Sequence, residues 1–394
     1  MERLRANIGG DRVVWVLTGL LVIVSALTVY SASSGLAFTY YDGNLSQILF
    51  KHVLFAVIGM VLMFAVHRIP LKYFRNLSLI MVPVVIGLLS LTLIMGQTIG
   101  DANASRWIKI PFVPIGFQPS ELAKIALILF LARFLSKYRD NLSDFKKVFY
   151  KAVLPIAFVC GLILPANLST AALIFVVAGS MLFIGGVPFK HMLAIAGIGV
   201  AILGLFILTV LAFPGISNRV DTWKSRIERF AEGDPSENYQ VTKAKTAIAT
   251  GGITGKGPGK SQQKYFLPQS SSDFIYAVVI EEYGLVGGVV MWLLYVFLFI
   301  RFLMISSRVN DAFGRLLVIG FTISLAIQTT INMGVAVNIF PVTGQTLPLV
   351  SSGGSSMWMT FITLGIILSV SRWKGEEMSE NDGSTEKEEE YVTA

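Results

Sequence analysis

The chain has 394 residues, of which 54% are hydrophobic and 14% are charged, and its mean hydropathy is +0.68. Soluble domains carry about 25% charged residues, so this composition excludes an ordinary water-soluble protein and predicts an all-α polytopic membrane protein. The formal net charge is +8, and setting aside the −7 of residues 375–394 leaves +15 on the rest of the chain, which favours contact with anionic lipid or with an anionic substrate. The single cysteine, Cys160, excludes an internal disulfide.

Ten apolar stretches are long enough, or nearly long enough, to cross a hydrocarbon core about 30 Å thick. They predict about ten transmembrane helices, and only the short interruption LPANLS separates the fifth from the sixth. The first stretch is longer than the roughly 7 to 15 apolar residues of a signal peptide and is interpreted as an uncleaved span. In chain order the stretches occupy about residues 13–32, 52–69, 76–96, 118–136, 149–164, 168–187, 190–213, 274–304, 312–338 and 355–372.

Lys and Arg in the short loops set the predicted orientation. With the N-terminus in the cytoplasm, the short outer loops carry only Lys51, Arg106 and Lys109, and the inner segments carry the other short-loop bases. An even number of spans returns the C-terminus to the cytoplasm. Residues 1–374 are then a single membrane domain. Residues 375–394 hold eight carboxylates and one lysine without any apolar period, which predicts a disordered acidic tail.

One connection, residues 214–273, is much longer than the others and forms a large extracytoplasmic loop in this topology. Long connections in compact folds are usually functional or disordered, and the patterning of this one argues against disorder. Its segments VDTWKSRIERF and YQVTKAKTAIA space their apolar residues three and four apart. That spacing predicts two short amphipathic helices on the membrane surface.

Residues 254–261, TGKGPGKS, almost spell a nucleotide-binding P-loop. Thr254 replaces the first glycine, Pro258 removes an amide donor, and no predicted strand precedes the segment, so ATP binding is excluded. Two interpretations of the glycines remain open. They let the backbone and its lysines approach another group closely, or they form a flexible turn.

Three carboxylates stand at or within the eighth apolar stretch, where an uncompensated charge costs several kcal/mol. Asp273 lies at its mouth, where it is either stabilised by the dipole of the first helical turn or has a chemical role. On a regular helix Glu281 lies about 12 Å along the axis from Asp273 and about 80° around it, so we expect it to line the same cavity at greater depth. Glu282 is expected to face a neighbouring span.

The segment FQPSELAK opens the fourth apolar stretch and places Glu121 and Lys124 three residues apart on one helical face. This spacing lets the two charges neutralise one another at membrane depth. The pair is either a structural ion pair between spans or part of the lining of a polar cavity. The three histidines show no metal-ligand spacing.

Five segments together resemble the SEDS family of FtsW, RodA and SpoVE proteins, from the first span to the last. Gln240, which follows Tyr239, and the segment KSQQKYFLP resemble FtsW and SpoVE more than RodA. The sequence departs from the family pattern at Gln269, at the SSD of 271–273 and at Gln345. The segments that carry the resemblance are NASRWI, FQPSELAK, YQVTKAKTAIATGG, LPQSSSDFIYAVVIEEYG and FPVTGQTLPLVSSGGSS.

This resemblance implies a peptidoglycan glycosyltransferase that polymerises lipid II at the outer face of the bacterial cytoplasmic membrane, with septation as its setting. It implies a class B penicillin-binding protein and other division membrane proteins as partners, and no nucleic acid. Lipid II carries its sugars on a polyprenyl pyrophosphate, a good leaving group, so one carboxylate and nearby cations suffice for an inverting transfer. A lipid II flippase and a division scaffold are the alternative functions.

Asp273 is the catalytic candidate, because the family has an aspartate at this position, and we expect it to take the proton from the 4-hydroxyl of the acceptor sugar. The basic candidates in the outer loops supply positive charge to the pyrophosphate, and the Glu121 and Lys124 pair shapes the cavity beneath. Mg²⁺ or Mn²⁺ is an alternative source of that charge, although no ligand spacing marks a metal site. The substrate-binding candidates are Arg106, Lys243, Lys256, Lys260, Glu121, Lys124, Glu281 and Ser352.

Overall fold

The computed structural model is mostly helical and describes residues 9–34, 44–95, 107–109, 116–212, 239–267 and 270–373. Arg106, the predicted helix VDTWKSRIERF and the acidic tail 375–394 lie outside these ranges. The helices are α1 (Arg12–Ala32), α2 (Leu45–Val66), α3 (Leu71–Met95), α4 (Pro119–Lys137), α5 (Phe145–Val148), α6 (Leu154–Ile163), α7 (Leu168–Ile184), α8 (Phe189–Ala212), α9 (Tyr239–Gly251), α10 (Ile275–Arg308), α11 (Ala312–Ala336) and α12 (355–373).

Short elements connect several of these helices. A π-helical turn, Phe149–Val153, joins α5 to α6 into one continuous helical segment. Two 3₁₀ turns, Arg139–Asn141 and Gln263–Tyr265, follow α4 and precede α10. The strands β1 (Ile108–Lys109) and β2 (Gly116–Phe117) pair antiparallel just before α4.

Every predicted apolar stretch lies mainly on helix within the described residues, which supports a multi-pass membrane protein. Within the described ranges, six helices are long and apolar enough to cross a membrane by themselves, namely α1, α2, α3, α8, α10 and α11. Crossing by α4, by the joined α5 and α6, by α7 and by α12 stays a prediction, and so does the total of ten spans.

Side-chain caps define where several helices begin. The Asp11 carboxylate accepts hydrogen bonds from the backbone at the start of α1, and Asp311 does the same for α11. Asn167 caps α7 through the Thr170 amide, which turns the chain sharply after α6. A cap oxygen satisfies one of the amides that a helix leaves unpaired at its N-terminus, so these short polar residues fix the boundaries between adjacent apolar segments.

The interior of the bundle is built around α4, α11 and α12. Helix α11 packs against α4, α7 and α10, whereas α8 contacts mainly α7 and leaves most of its surface exposed. Helix α12 packs closely on α2, because a β-carbon at Gly59 would overlap the ring of Phe361. The large buried side chains of this core include Phe313, Phe321 and Phe361.

Helix α10 is interrupted once, at Gly284, whose φ of 71° and ψ of −172° are not helical. The backbone of 252–257 fills the break by pairing with both sides of it. Residues 285–308 alone are about 36 Å long at 1.5 Å per residue, so the part of α10 after the break is long enough to cross a membrane. The pairing consists of Lys256 N to Glu281 O (3.0 Å), Gly257 N to Glu282 O (2.9 Å), Leu285 N to Gly252 O (2.9 Å) and Val286 N to Ile253 O (3.2 Å).

This pairing decides between the two interpretations of the glycine-rich segment TGKGPGKS. Gly255 has a φ of +81°, and a β-carbon there would lie 2.2 Å from the Glu282 carbonyl oxygen. A β-carbon at Gly251 would likewise lie 2.2 Å from the Ile280 carbonyl oxygen. Glycine is therefore required for close backbone approach, and the group that the segment approaches is helix α10 of the same chain.

Candidate active site

Asp273 lies in a turn, residues 270–273, immediately before α10. The helix begins at Ile275 with Phe274 as its N-cap, and its first turn contains no acidic residue. The interpretation of Asp273 as a carboxylate inside the first helical turn was therefore wrong. Its side chain is partly exposed, which leaves room for a group to approach it.

Ser270 Oγ donates to the Ala32 carbonyl oxygen on α1 at 2.9 Å, and three more hydrogen bonds are donated to the carbonyl oxygens of the turn 270–273. These three come from α11 and from the segment 337–354 that connects α11 to α12. Asn332, which is buried on α11, also donates from the same amide nitrogen to the Gln345 carbonyl oxygen at 2.7 Å, so one side chain ties both segments together. The three bonds are Asn332 Nδ2 to Asp273 O (3.1 Å), Ser351 Oγ to Ser272 O (2.6 Å) and Ser352 N to Ser271 O (2.8 Å).

The segment 337–354 passes directly beside the Asp273 carboxylate. Gly344 has a φ of +71°, and a β-carbon built on it would lie 3.7 Å from Asp273 Oδ2. Leu349 adopts a φ of 65° although it is not glycine, a conformation that costs about 1–3 kcal/mol and persists only where the surroundings hold it. Ser352 follows in the same segment, and its backbone N–H donates to the carbonyl oxygen of Ser271 at 2.8 Å, in the turn that carries Asp273.

Glu121 and Lys124 form the predicted ion pair on α4, with 2.8 Å between Lys124 Nζ and Glu121 Oε2. Both side chains are buried, and Lys124 also donates to Gln328 Oε1 on α11 at 2.8 Å. The three residues line a cavity between α4, α11 and α12 that has room for a water molecule, with Ser324 and Thr360 on its wall. This arrangement supports the polar-cavity interpretation of the pair.

Helix α11 connects this cavity to the turn of Asp273. Gln328 Nε2 donates to the Thr346 carbonyl oxygen at 2.9 Å, and Asn332 lies one helical turn further along the same helix. Gln345, one of the departures from the family pattern, donates to Thr170 Oγ1 at 2.9 Å and so ties the segment 337–354 to α7. Sequence reasoning missed Gln328 and Asn332 because isolated amides on an apolar helix have no diagnostic spacing.

Glu281 is fully buried, and its carboxylate is surrounded by donors from residues 256–263. The prediction that Glu281 lines the cavity of Asp273 finds no support in these contacts. Lys256 is one of these donors, so the charge of Glu281 already offsets part of the positive charge that Lys256 would offer to a pyrophosphate. The donors are Lys256 Nζ (2.7 Å) and Gln262 N (3.1 Å) to Oε1, and Ser261 Oγ (2.5 Å) and Gln263 N (3.2 Å) to Oε2.

Glu282 faces α1, which confirms that it points towards a neighbouring span. Its Oε1 accepts a hydrogen bond from Ser31 Oγ on that helix. Lys264 Nζ lies 3.9 Å from the same oxygen and donates to Ser31 Oγ at 3.2 Å and to the Gly259 carbonyl oxygen at 2.7 Å. Only 4% of Lys264 is exposed, a burial that its loop sequence did not indicate.

The remaining basic candidates differ in their surroundings. Lys243 on α9 places its ammonium 5.4 Å from the ring centre of Tyr239 and 4.9 Å from that of Phe266. An aromatic face attracts a cation without neutralising it, so this charge stays available to an anion. Lys260 is exposed at the tip of the glycine-rich segment. Helix α9 itself confirms the helix that YQVTKAKTAIA predicted.

The described part of the chain contains no group of three or more His, Cys, Asp or Glu side chains that could hold a metal ion. The buried carboxylates Glu121, Glu281 and Glu282 each contact an ammonium group instead. A role for Mg²⁺ or Mn²⁺ stays a prediction from the sequence.

A family model described as a cell cycle protein, and covering FtsW, RodA and SpoVE, matches residues 11–376. The chain is 33% identical over 367 residues to stage V sporulation protein E of Bacillus subtilis strain 168, a match that covers 92% of this chain and 97% of the relative. It is 34% identical over 374 residues to a probable peptidoglycan glycosyltransferase FtsW of Geobacter metallireducens, covering 93% of this chain and 96% of the relative.

Two solved structures are similar over nearly the whole chain. One, from work described as "Structural coordination of polymerization and crosslinking by a peptidoglycan synthase complex", matches with a TM-score of 0.70 and 27% identity, covering 93% of this chain and 98% of that one. The other is the rod shape determining protein RodA of Thermus thermophilus, with a TM-score of 0.65 and 26% identity, covering 92% of this chain and 97% of that one.

Proposed function

The chain belongs to the family of FtsW, RodA and SpoVE proteins, as its motifs predicted, and from that premise we propose that it polymerises lipid II with Asp273 as the general base. It is a peptidoglycan glycosyltransferase. The observation that carries the role of Asp273 is the fixed backbone of its turn, which Asn332, Ser351 and Ser352 hold while the carboxylate stays partly exposed. A general base must be held within hydrogen-bond reach of the proton that it removes.

In the proposed reaction, Asp273 takes the proton of the 4-hydroxyl of the acceptor sugar as that oxygen forms a bond to C1 of the donor sugar. The bond from C1 to the pyrophosphate oxygen breaks, and the polyprenyl pyrophosphate leaves with its electron pair, so the configuration at C1 inverts. Pyrophosphate leaves without being protonated, and the transfer therefore needs no second carboxylic acid, unlike the hydrolysis of an ordinary glycoside.

Positive charge beside the pyrophosphate stabilises the negative charge that develops as it leaves. Lys243 and Lys260 are the described candidates for this role, because neither is in an ion pair with a described carboxylate. Arg106 is the third candidate and lies outside the described residues. Lys256 pairs with Glu281 instead. This ion pair holds the loop that carries Lys260 against α10.

We place the reaction at the outer face of the bacterial inner membrane during septation, with a class B penicillin-binding protein crosslinking the product. The support for this setting is the similarity to proteins named FtsW and to a chain from a peptidoglycan synthase complex. The greater similarity of Gln240 and its neighbours to FtsW than to RodA favours division over elongation.

The test is gel analysis of the glycan strands that the purified protein forms from labelled lipid II, with and without its class B partner. Wild type is compared with Asp273→Asn and with Asp311→Asn as a matched control. Asp311 caps α11 and pairs with Arg75 at the opposite, cytoplasmic end of the predicted topology. Asparagine keeps the cap, and the exposed ion pair contributes only about 0–1 kcal/mol.

We expect polymer from wild type and from Asp311→Asn, and none from an equally folded Asp273→Asn. Equal polymer from Asp273→Asn would remove Asp273 as the base. If wild type forms no polymer beside a partner whose own activity is intact, the polymerase assignment itself is wrong.

A further inference from the structure

Three lysine ammonium groups surround the ring of Tyr138, at the predicted cytoplasmic end of α4. Lys151 Nζ lies 4.5 Å from the ring centre and donates to the Tyr138 hydroxyl at 2.9 Å. Lys137 and Lys147 each place Nζ 5.7 Å from the same ring centre. Lys137 ends α4, while Lys147 and Lys151 lie on α5 and on the π-helical turn. We call these four residues the Tyr138 cluster.

The Tyr138 cluster carries positive charge that the described protein does not neutralise. None of its three lysines is in an ion pair with a described carboxylate. The nearby carboxylate of Asp144, the N-cap residue of α5, accepts a hydrogen bond from the backbone N–H of Lys147. Three like charges around one ring repel one another, and the ring attracts each of them without cancelling its charge. A bound anion would remove this repulsion.

The surface next to the cluster indicates which kind of anion fits. Tyr150, Leu154 and Phe158 follow one another four residues apart on the joined α5 and α6, and they are 65%, 50% and 54% exposed. They form an apolar stripe that begins beside the lysines and runs along the helix towards the predicted membrane interior. A free phosphate or an acidic peptide would use the lysines alone, whereas a phospholipid would use both the lysines and the stripe.

We propose that the Tyr138 cluster binds the phosphate head group of an anionic phospholipid, with the acyl chains lying along Tyr150, Leu154 and Phe158. Basic groups at the cytoplasmic interface beside an exposed apolar helix face are the chemistry that recognises such lipids. The site is on the opposite side of the predicted membrane from Asp273, and its occupation does not depend on the polymerase assignment.

The experiment measures how fast each lysine reacts with an amine-acetylating reagent in the full-length protein, read by mass spectrometry of peptides. The protein is placed in vesicles of phosphatidylcholine alone or of phosphatidylcholine with phosphatidylglycerol, and inorganic phosphate is added in a separate arm. Lys72 and Lys190, which are exposed and lie in predicted inner loops, are the internal controls for general surface charge. A second measurement counts phosphatidylglycerol molecules retained in native mass spectrometry.

We expect phosphatidylglycerol to slow acetylation of the three cluster lysines about tenfold, to slow Lys72 and Lys190 much less, and inorganic phosphate to have no effect. In native mass spectrometry, replacing all three cluster lysines by glutamine should remove a retained lipid. Removing the same number of charges with Lys72→Gln, Lys190→Gln and Arg308→Gln should not.

Three outcomes would overturn the proposal. Equal slowing at Lys72 and Lys190 would show that only general surface charge attracts the lipid. Protection by inorganic phosphate alone would assign the site to a free anion. Protection in pure phosphatidylcholine that disappears when residues 375–394 are removed would show that the chain's own acidic tail occupies the cluster.

Discussion

Replacing Gly284 by alanine is expected to detach the glycine-rich loop from α10. Gly284 combines a φ of 71° with a ψ of −172°, a region of backbone space that is essentially restricted to glycine. A β-carbon there would also lie 2.1 Å from the carbonyl oxygen of Ile253, far inside the contact distance. The substitution therefore strains the break itself and pushes away the backbone that fills it.

The free-energy cost of Gly284→Ala is the sum of the backbone strain at residue 284 and the hydrogen bonds that are lost. Forcing a non-glycine residue into this conformation costs about 1–3 kcal/mol. Moving Ile253 away breaks the two hydrogen bonds from Leu285 N and Val286 N, each contributing about 0.5–1.5 kcal/mol. The combined loss is about 2–6 kcal/mol. A loss near 4 kcal/mol would raise the population with a detached loop roughly a thousandfold, since about 1.4 kcal/mol corresponds to a factor of ten.

Hydrogen exchange of the purified protein in detergent measures the population with a detached loop directly. Amides 252–257 should exchange much faster in Gly284→Ala than in wild type, and lipid II polymerisation should fall with them. The matched control is Gly87→Ala on α3, where an added β-carbon meets no atom within 4 Å and where alanine favours helix by about 0.5–1 kcal/mol. Unchanged exchange of 252–257 in Gly284→Ala would refute the reasoning.

Four further single substitutions and one double substitution test the remaining parts of the site. Lys124→Ala leaves Glu121 as a buried unpaired charge and should lower the free energy of unfolding by about 3–5 kcal/mol, as measured by thermal unfolding. Changing both residues to glutamine should recover most of this loss. Equal loss in both variants would mean that the two charges are not coupled. Gly344→Ala should lower the rate of polymerisation while the fold survives, because the new methyl lies at van der Waals distance from the Asp273 carboxylate and the left-handed backbone costs about 1–2 kcal/mol. Wild-type turnover would contradict the proposed role of Asp273. Lys260→Ala and Lys243→Ala should each raise KM for lipid II while the fold survives, and an unaltered KM removes that lysine from the substrate site.

The features that the sequence predicted correctly depend on local spacing. Glu121 and Lys124 pair because residues three apart on a helix are neighbours wherever the helix packs. Glu282 faces another span because adjacent positions on a helix point in different directions. The roles of Asp273 and Ser352 came from the resemblance of their segments to a family, and they stay predictions.

The features that the sequence did not predict depend on contacts between distant segments. The backbone of 252–257 completes α10 across the break, and neither segment carries a periodic signal for that pairing. This pairing in turn places Lys256 on Glu281 and buries Lys264, although lysines in a polar loop are normally solvated. The hydrogen bonds that hold the turn 270–273 against the segment 337–354 have the same origin.

The amide side chains of Gln328 and Asn332 join the cavity and the turn of Asp273 to the same helix, α11. Gln328 accepts a hydrogen bond from Lys124, which lines the cavity. Asn332, four residues further along α11, donates to the backbone carbonyl oxygen of Asp273. A helix of hydrogen-bonded turns shifts or rotates as a unit far more easily than it stretches. The distance along the axis between Gln328 and Asn332 is therefore set by the helical rise of 1.5 Å per residue. A displacement of α11 would therefore move the turn of Asp273 and the Gln328 side of the cavity together. The distance between these two parts would stay constant.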